Sequence, residues 1–336
     1  MKTEIIKIKD RGHAAISKAA EIMLNGGLCA FPTETVYGLG AIATEKKAVA
    51  KIFAAKGRPQ DNPLILHITG IDMLAACCKD IPDTAYILAD AFWPGPLTMV
   101  LWRNENIPSS VACELETIAV RAPENPIALA LIEACGKPIA APSANLSGTP
   151  SPTTAAHVAA DLSGRIEMIL DGGACEIGLE STIIDLTAFE INILRTGAIT
   201  QDMLEAVLGR KITAPKNSER PKAPGMKYRH YAPKARIIFL PAAGGQLEQI
   251  SDKLEKGVRI GVLASKETAC LYDKRAVILQ LGSRDNHKQL AQNLYACLRK
   301  FDEYGVDEIY SEVFDNAGLC AVIMNRLNKA ARSEVL

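Results

Sequence analysis

No stretch of the 336-residue chain approaches the roughly 20 apolar residues needed to cross a bilayer; Leu97-Thr98-Met99-Val100-Leu101-Trp102 is typical of its longest runs. No membrane-spanning helix is expected. The first residues, Met1-Lys2-Thr3-Glu4-Ile5-Ile6-Lys7, set Ile among charges and lack the apolar core and small-residue cleavage site of a secretory signal. They read as the first strand of a cytoplasmic protein. The nine cysteines are an odd number, with no C-x-x-C pair and no His at ligand spacing. Reduced, buried thiols fit this better than disulfides, zinc or redox chemistry. There is no G-x-S-x-G, and His13, His67, His157, His230 and His287 stand beside no evident Ser or Cys partner, so covalent catalysis is not expected. The missing G-x-x-x-x-G-K-[ST] excludes a Walker-type hydrolase. Aromatic residues are only 5% and the formal net charge is zero, which counts against a nucleic-acid-binding surface.

What is present is an ordinary globular composition, 48% hydrophobic and 23% charged, with enough apolar residues for a sizeable core. At roughly 100–200 residues per domain, the length suggests two domains. The charges place the seam. Residues 1–210 carry 17 Lys and Arg against 24 Asp and Glu, a balance of −7; residues 211–236 carry 8 against 1, a balance of +7; residues 237–336 carry 13 of each. The middle segment also holds Pro215, Pro221, Pro224, Gly225 and Pro233, which rule out a helix or a central strand. The reading is therefore a first domain over 1–210, a basic Pro-rich linker over 211–235 and a second domain over 236–336. Such linkers are commonly solvated connectors. The packed rings of Tyr228, His230 and Tyr231 favour instead a strap lying over an anionic ligand.

Hydrophobic periodicity gives an amphipathic helix over His13–Asn25, with Ile16, Ala19, Ala20 and Met23 on one face and Gly26-Gly27 as its stop. Strands are expected at Leu28–Phe31, Leu64–Ile68, Leu97–Trp102, Thr117–Arg121, Pro138–Ala141, Glu167–Leu170, Ser181–Leu186 and Ile191–Leu194. Several follow one another without a helix, so the fold class is α/β with an open, twisted, mixed sheet. After the linker the alternation is regular: strands at Arg236–Leu240, Arg259–Ala264, Ala276–Leu281 and Glu308–Ser311, with helices near Gln246–Lys256, Glu267–Tyr272, Asn286–Tyr304 and Ala317–Ala330. That is a small Rossmann-like, doubly wound unit. Gly38-Leu39-Gly40-Ala41-Ile42-Ala43 matches G-x-G-x-x-A, but Pro32-Thr33-Glu34-Thr35 separates it from the preceding strand. These glycines are read as turn residues rather than a dinucleotide fingerprint.

Four phrases are too polar and too heavily punctuated for ordinary core. They are Pro32-Thr33-Glu34-Thr35-Val36-Tyr37-Gly38-Leu39, Lys56-Gly57-Arg58-Pro59-Gln60-Asp61-Asn62-Pro63, Ala141-Pro142-Ser143-Ala144-Asn145-Leu146-Ser147-Gly148 and Gly178-Leu179-Glu180-Ser181-Thr182. Each lies at the end of an expected strand or helix, where α/β proteins place ligand-binding groups. Lys56 offers a point charge and Arg58 a bidentate fork, a pairing suited to phosphate oxygens. Ser143 and Asn145 alternate off a strand end, so both side chains can face one side and hydrogen-bond a phosphate or base; a turn with local backbone bonds is the other reading of the same residues. A nucleotide is the economical common ligand. An RNA-binding protein on the same fold is the alternative.

Taken in order, these phrases resemble the Sua5/YrdC/YwlC family of threonylcarbamoyl-AMP synthases, in its long form with a C-terminal Sua5 domain. Lys56-Gly57-Arg58 and Ser143-Ala144-Asn145 look like its KxR and SxN signatures, Pro32–Leu39 like its PTETVYGL segment, and Ala223-Pro224-Gly225-Met226-Lys227-Tyr228-Arg229-His230-Tyr231-Ala232-Pro233 like its linker, with Ala223 where Ser is more usual. The resemblance implies a YrdC-like first domain and synthesis of threonylcarbamoyl-AMP from L-threonine, bicarbonate and ATP. Pyrophosphate and water are released in this first step of a tRNA N6-threonylcarbamoyladenosine modification. It implies contacts to threonine from Thr35, His67, Arg121, Ala141 and Ser181. It implies contacts to ATP from Lys56, Arg58, Asn62, Thr117, Ser143, Asn145, Ser151 and Arg195, with His230 or Tyr231 reaching over from the linker. Lys56 and Arg58 would be the catalytic cations. Mg2+ would arrive with ATP, and the product would pass to a tRNA threonylcarbamoyltransferase machinery without strong nucleic-acid binding by this chain.

Overall fold

A computed structural model of the chain describes residues 1–213, 231–241 and 247–331. Most of the expected linker, including His230, lies outside them. Two compact units are present, Met1–Ser147 with Ser151–Tyr228, and Gly148–Pro150 with Arg229–Leu336. Among the described residues no helix is long and apolar enough to cross a membrane.

The first unit opens with β1 (Glu4–Lys7), α1 (Ala14–Leu24), β2 (Cys29–Phe31), β3 (Gly38–Ile42), α2 (Lys46–Lys56) and β4 (Ile65–His67). It continues with α3 (Ile71–Cys77), β5 (Cys78–Lys79), α4 (Asp83–Phe92), β6 (Leu97–Arg103), β7 (Thr117–Arg121), α5 (Pro126–Cys135) and β8 (Ile139–Ala140). It closes with α6 (Ala155–Leu162), β9 (Met168–Asp171), β10 (Thr182–Asp185), β11 (Asn192–Arg195) and α7 (Gln201–Leu208). These strands form one sheet in the order β1-β9-β2-β3-β8-β4-β7-β6-β10-β11, with β5 on the flank of β6. Parallel pairs such as β4 with β7 sit beside antiparallel ones such as β6 with β7, so the sheet is mixed, as the back-to-back strands required.

Local signals explain the helices. In α1 the buried residues Ile16, Ala19, Ala20 and Met23 form the expected stripe, and the His13 side chain caps its start by accepting from the Ala15 amide. In α5 the Asn125 side chain accepts from the Ile127 and Ala128 amides, Pro126 occupies the first turn, and Gly136 ends the helix at φ 60°. One expectation is corrected. Gly38 and Gly40 are strand residues of β3, not turn residues, and at Gly40 a side chain would come within 2.8 Å of Phe31 and 2.9 Å of Ile139. Close approach of neighbouring side chains, invisible in local sequence, favours glycine at position 40.

Alternation along the central strands creates two unlike faces. Ile118 and Val120 of β7 enter the main core with Leu66, Met99, Leu101 and Ile184. Ala119 instead joins a small cluster with Ile65, Val100 and Ile183. By the two-residue period, Thr117 and Arg121 share the Ala119 face, His67 that of Ile65, Thr98 that of Val100 and Ser181 that of Ile183. A thin apolar strip bordered by buried polar groups is the floor on which a ligand can lie.

The second unit holds β12 (Arg236–Phe239), α8 (Leu247–Glu255), β13 (Ile260–Ala264), β14 (Val277–Gln280), α9 (His287–Tyr304), β15 (Glu308–Ser311) and α10 (Gly318–Ala331). Its four strands are all parallel, in the order β12-β15-β13-β14. One face carries Ile250 of α8; on the other, Phe301 of α9 rests where a side chain on Gly261 would stand. The helix expected at Glu267–Tyr272 is only a 3-10 turn over Ala269–Leu271. The hydroxyls of Thr268 and Tyr272 both donate to the buried Glu312 carboxylate, which holds the segment at both ends of a single turn.

Candidate active site

The end of α2 builds the first part of the site. Gly57 adopts φ 60°, so the Gly57 and Arg58 amides fold back onto Ala54 and Phe53 carbonyls and the helix stops with Lys56 in its last turn. The Lys56 ammonium then donates to the carbonyls of Ser143 and Asn145, each at 2.5 Å, while the Ser147 amide donates to the Lys56 carbonyl at 2.9 Å. The two signatures are thereby joined. Ser143 Oγ donates to Asn145 Oδ1 at 2.5 Å, which places both side chains on one side as their spacing suggested. Arg58 folds onto its own loop, Nε donating to the Asn62 carbonyl at 3.0 Å and Nη2 to that of Pro63 at 2.9 Å. Lys56 is 2% and Arg58 8% exposed. Carbonyl oxygens orient both cations, and a lysine and an arginine set side by side in this way suit an anionic ligand. Asn62 Nδ2 is buried and lacks a hydrogen-bond partner, a further donor for such a ligand.

The second part lies along β4, β7, β6 and β10. His67 pairs with Arg121 in the β4–β7 register. Arg121 Nη1 donates to Thr35 Oγ1 at 2.9 Å, and Nη2 bonds the Glu34 carboxylate at 3.1 Å in a fully buried ion pair. Thr33 organises this corner: its hydroxyl accepts from the Thr35 and Val36 amides, both at 3.2 Å, and meets Thr35 Oγ1 at 2.8 Å. His67 is pushed down to about 3 by burial, with the Arg121 charge adding to the effect. It is therefore neutral at physiological pH. Its Nδ1 lies 3.3 Å from the Ile65 carbonyl, which assigns the proton to Nδ1 and leaves Nε2 an acceptor.

Ser181 connects the remaining groups. Its hydroxyl meets Thr98 Oγ1 at 2.7 Å and accepts from Arg195 Nη2 at 3.0 Å, while Arg195 Nε donates to the Ser181 carbonyl at 3.0 Å. Ser151 Oγ donates to Glu180 at 2.6 Å. Ala141 is buried and its amide donates to the Ile65 carbonyl at 2.9 Å. Thr117 is buried at the opposite end of β7 from Arg121.

Thus Lys56 meets Ser143 and Asn145, Arg121 meets Thr35 and His67, and Arg195 meets Ser181. Tyr231 belongs to the second unit, where its ring is stacked on Tyr295 at 5.4 Å and under the Arg326 guanidinium at 5.3 Å. Sequence reasoning passed over Glu34, Thr98 and Glu180. Glu34 and Glu180 stood inside phrases already singled out, whereas Thr98 carried no local signal. Among the described residues no group of three or more His, Cys, Asp or Glu offers a metal cage. The donors are cations, hydroxyls and amides, a set that fits phosphate oxygens, with any Mg2+ held chiefly by the phosphates themselves.

Comparisons with known proteins cover both units. Residues 21–197 match the family described as "Telomere recombination", and residues 199–332 match "Threonylcarbamoyl-AMP synthase, C-terminal domain". The chain is 45% identical to the threonylcarbamoyl-AMP synthase of Pyrococcus abyssi over 99% of each chain. It is 45% identical to that of Bacillus subtilis over 96% of this chain and 94% of the relative. It superposes on the crystal structure of P. abyssi Sua5 complexed with L-threonine with a TM-score of 0.91, at 46% identity and 98% coverage of both chains.

Proposed function

The chain belongs to the Sua5 family of threonylcarbamoyl-AMP synthases in its two-domain form, and on that premise we propose that it is an L-threonylcarbamoyladenylate synthase of the nucleotidyltransferase class. It joins L-threonine, bicarbonate and ATP into threonylcarbamoyl-AMP, pyrophosphate and water. The observation that carries this reading is the Lys56 ammonium seated between the Ser143 and Asn145 carbonyls. That contact joins the two phosphate-suited phrases into one cradle.

Threonine binds at the Arg121 end, its carboxylate toward Arg121 and Thr35, with His67, Ala141 and Ser181 closing around it. ATP lies along the strip toward Thr117, its phosphates met by Lys56, Arg58, Asn62, Ser143, Asn145, Ser151 and Arg195. The amine takes up carbon dioxide from bicarbonate as a carbamate. A carbamate oxygen attacks the α-phosphorus and pyrophosphate leaves in line. Such a transfer needs positioning and charge neutralisation rather than a protein nucleophile, consistent with a site of oriented cations. Mg2+ bound with ATP offsets part of the triphosphate charge. The protein works in the cytoplasm, and its product passes to a tRNA threonylcarbamoyltransferase.

Pyrophosphate release by the purified protein with ATP and Mg2+, omitting threonine or bicarbonate in turn, tests the reading. Release that needs both is the expected result. Release without threonine, or none with all substrates, would overturn it.

A further inference from the structure

Glu34 has no role in the chemistry described so far, yet it is one of the most constrained groups in the first unit. Its carboxylate is 3% exposed and pairs with an Arg121 side chain that is 4% exposed. A buried ion pair is poor evidence of stabilisation, because desolvating both charges consumes most of what their attraction returns. This pair is also incompletely satisfied: Glu34 Oε1 and Arg121 Nε are both buried without a hydrogen-bond partner. Stability alone does not account for keeping it.

Its geometry suggests what does. Glu34 Oε2 accepts from Arg121 Nη2 at 3.1 Å and from the Glu124 amide at 3.2 Å, and the Ile177 amide donates to the Glu34 carbonyl at 2.8 Å. The next residue, Thr35, takes the other terminal nitrogen, Nη1, at 2.9 Å. Adjacent residues therefore hold the two arms of one guanidinium and fix its plane. They also keep a full negative charge about one hydrogen bond from it. A lone arginine attracts any carboxylate. An arginine with a fixed anion beside it is electrically matched to a molecule carrying a carboxylate and an ammonium a few ångströms apart, and is less attractive to a plain anion.

We propose that Glu34 is the positioning and selectivity residue of the amino-acid site: it holds Arg121 in place and makes the site favour a zwitterionic α-amino acid over carboxylates lacking the amine. This rests on the reading that Arg121 receives the threonine carboxylate.

The test compares threonine with 3-hydroxybutanoate, the same skeleton without the amine. Calorimetric dissociation constants for both are measured on full-length wild type, Glu34→Gln and Glu34→Asp, alongside KM for threonine and for ATP. Gln keeps acceptors for Arg121 and Glu124 but removes the charge; Asp keeps the charge. For Glu34→Gln we expect the preference for threonine over 3-hydroxybutanoate to fall about tenfold or more, and threonine KM to rise with ATP KM unchanged. Glu34→Asp should retain most of the preference. An unaltered preference in Glu34→Gln would overturn the inference while leaving the functional reading standing. So would a parallel loss of threonine and ATP binding with a lowered melting temperature, the mark of a purely structural role. Wild-type protein that binds no threonine would remove the functional reading and this inference together.

Discussion

Gly197 offers the sharpest test of how the site is built. A side chain there would place its first carbon 2.3 Å from the Thr182 nitrogen, 2.6 Å from the Ser181 carbonyl carbon and 2.7 Å from the Glu180 carbonyl oxygen. All three obstacles are backbone, so no flexible side chain can yield. Ordinary contact begins near 3.4 Å, and Gly197→Ala must therefore push the two segments apart by roughly 1 Å. Overpacking of this kind costs about 1–3 kcal/mol. In a unit of this size each kcal/mol lowers the melting temperature by roughly 2–4 °C, so a fall of about 2–12 °C is expected. The displaced segment carries Ser181, bonded to Thr98 and Arg195, and Glu180, bonded to Ser151. A shift of about 1 Å in such groups can slow a reaction by up to ~100-fold. Both tryptophans, Trp93 and Trp102, lie in the first unit, so their fluorescence follows its melting alone, and pyrophosphate release reports turnover. A Gly197→Ala protein that melts and turns over like wild type would refute the claim that this backbone contact sets the Ser181 position.

Lys56→Met removes a charge and strips the Ser143 and Asn145 carbonyls of their donor. At about 1.5–3 kcal/mol for a charged hydrogen bond, ATP binding should weaken by roughly 10–100-fold while threonine binding, by calorimetry, holds. His67 supplies a pH test. Its folded pKa is about 3 against an ordinary 6.5, so between these values the unfolded chain binds a proton that the folded chain refuses. Stability of the first unit should fall as pH drops through that window, by up to ~1.4 kcal/mol per pH unit from this residue, with no contribution above it. Urea unfolding followed by tryptophan fluorescence at pH 7.5 and 5 should show a smaller acid loss in His67→Gln than in wild type; equal losses would contradict the assignment. Burial raises the Cys29, Cys77, Cys78 and Cys175 thiols far above their usual range, whereas Cys270 is exposed. A thiol reagent on the native protein should label Cys270 first, as peptide mapping would reveal.

Much of the fold was legible because its signals are local. The α1 stripe and the strand–helix rhythm after residue 236 each rest on spacing within a few residues. Four phrases stood out as candidate ligand-binding segments, and resemblance assigned residues within them and, at His67, Thr117, Arg121, Ser151 and Arg195, outside them. What escaped was non-local. Gly38 and Gly40 read as turn residues but lie in β3, with Phe31 and Ile139 closing on Gly40. The Glu267–Tyr272 segment read as a helix until Glu312, some forty residues on, was seen to hold it. Glu34 read as one polar residue in a polar phrase, because nothing near it in sequence announces Arg121, 87 positions away.

By itself, then, the sequence determined which chemistry is available: cations on a helix end, hydroxyl and amide donors off strand ends, and an arginine at the end of a strand. Residue type and short-range periodicity decide these things, and both are written in the order of the chain. Only the tertiary structure decided which of these groups meet. Lys56 reaches Ser143 and Asn145 across 87 and 89 positions, and Arg195 reaches Ser181 across 14. Those meetings depend on strand order and register, which are set by burying one face of the sheet, a collective outcome that no single segment encodes.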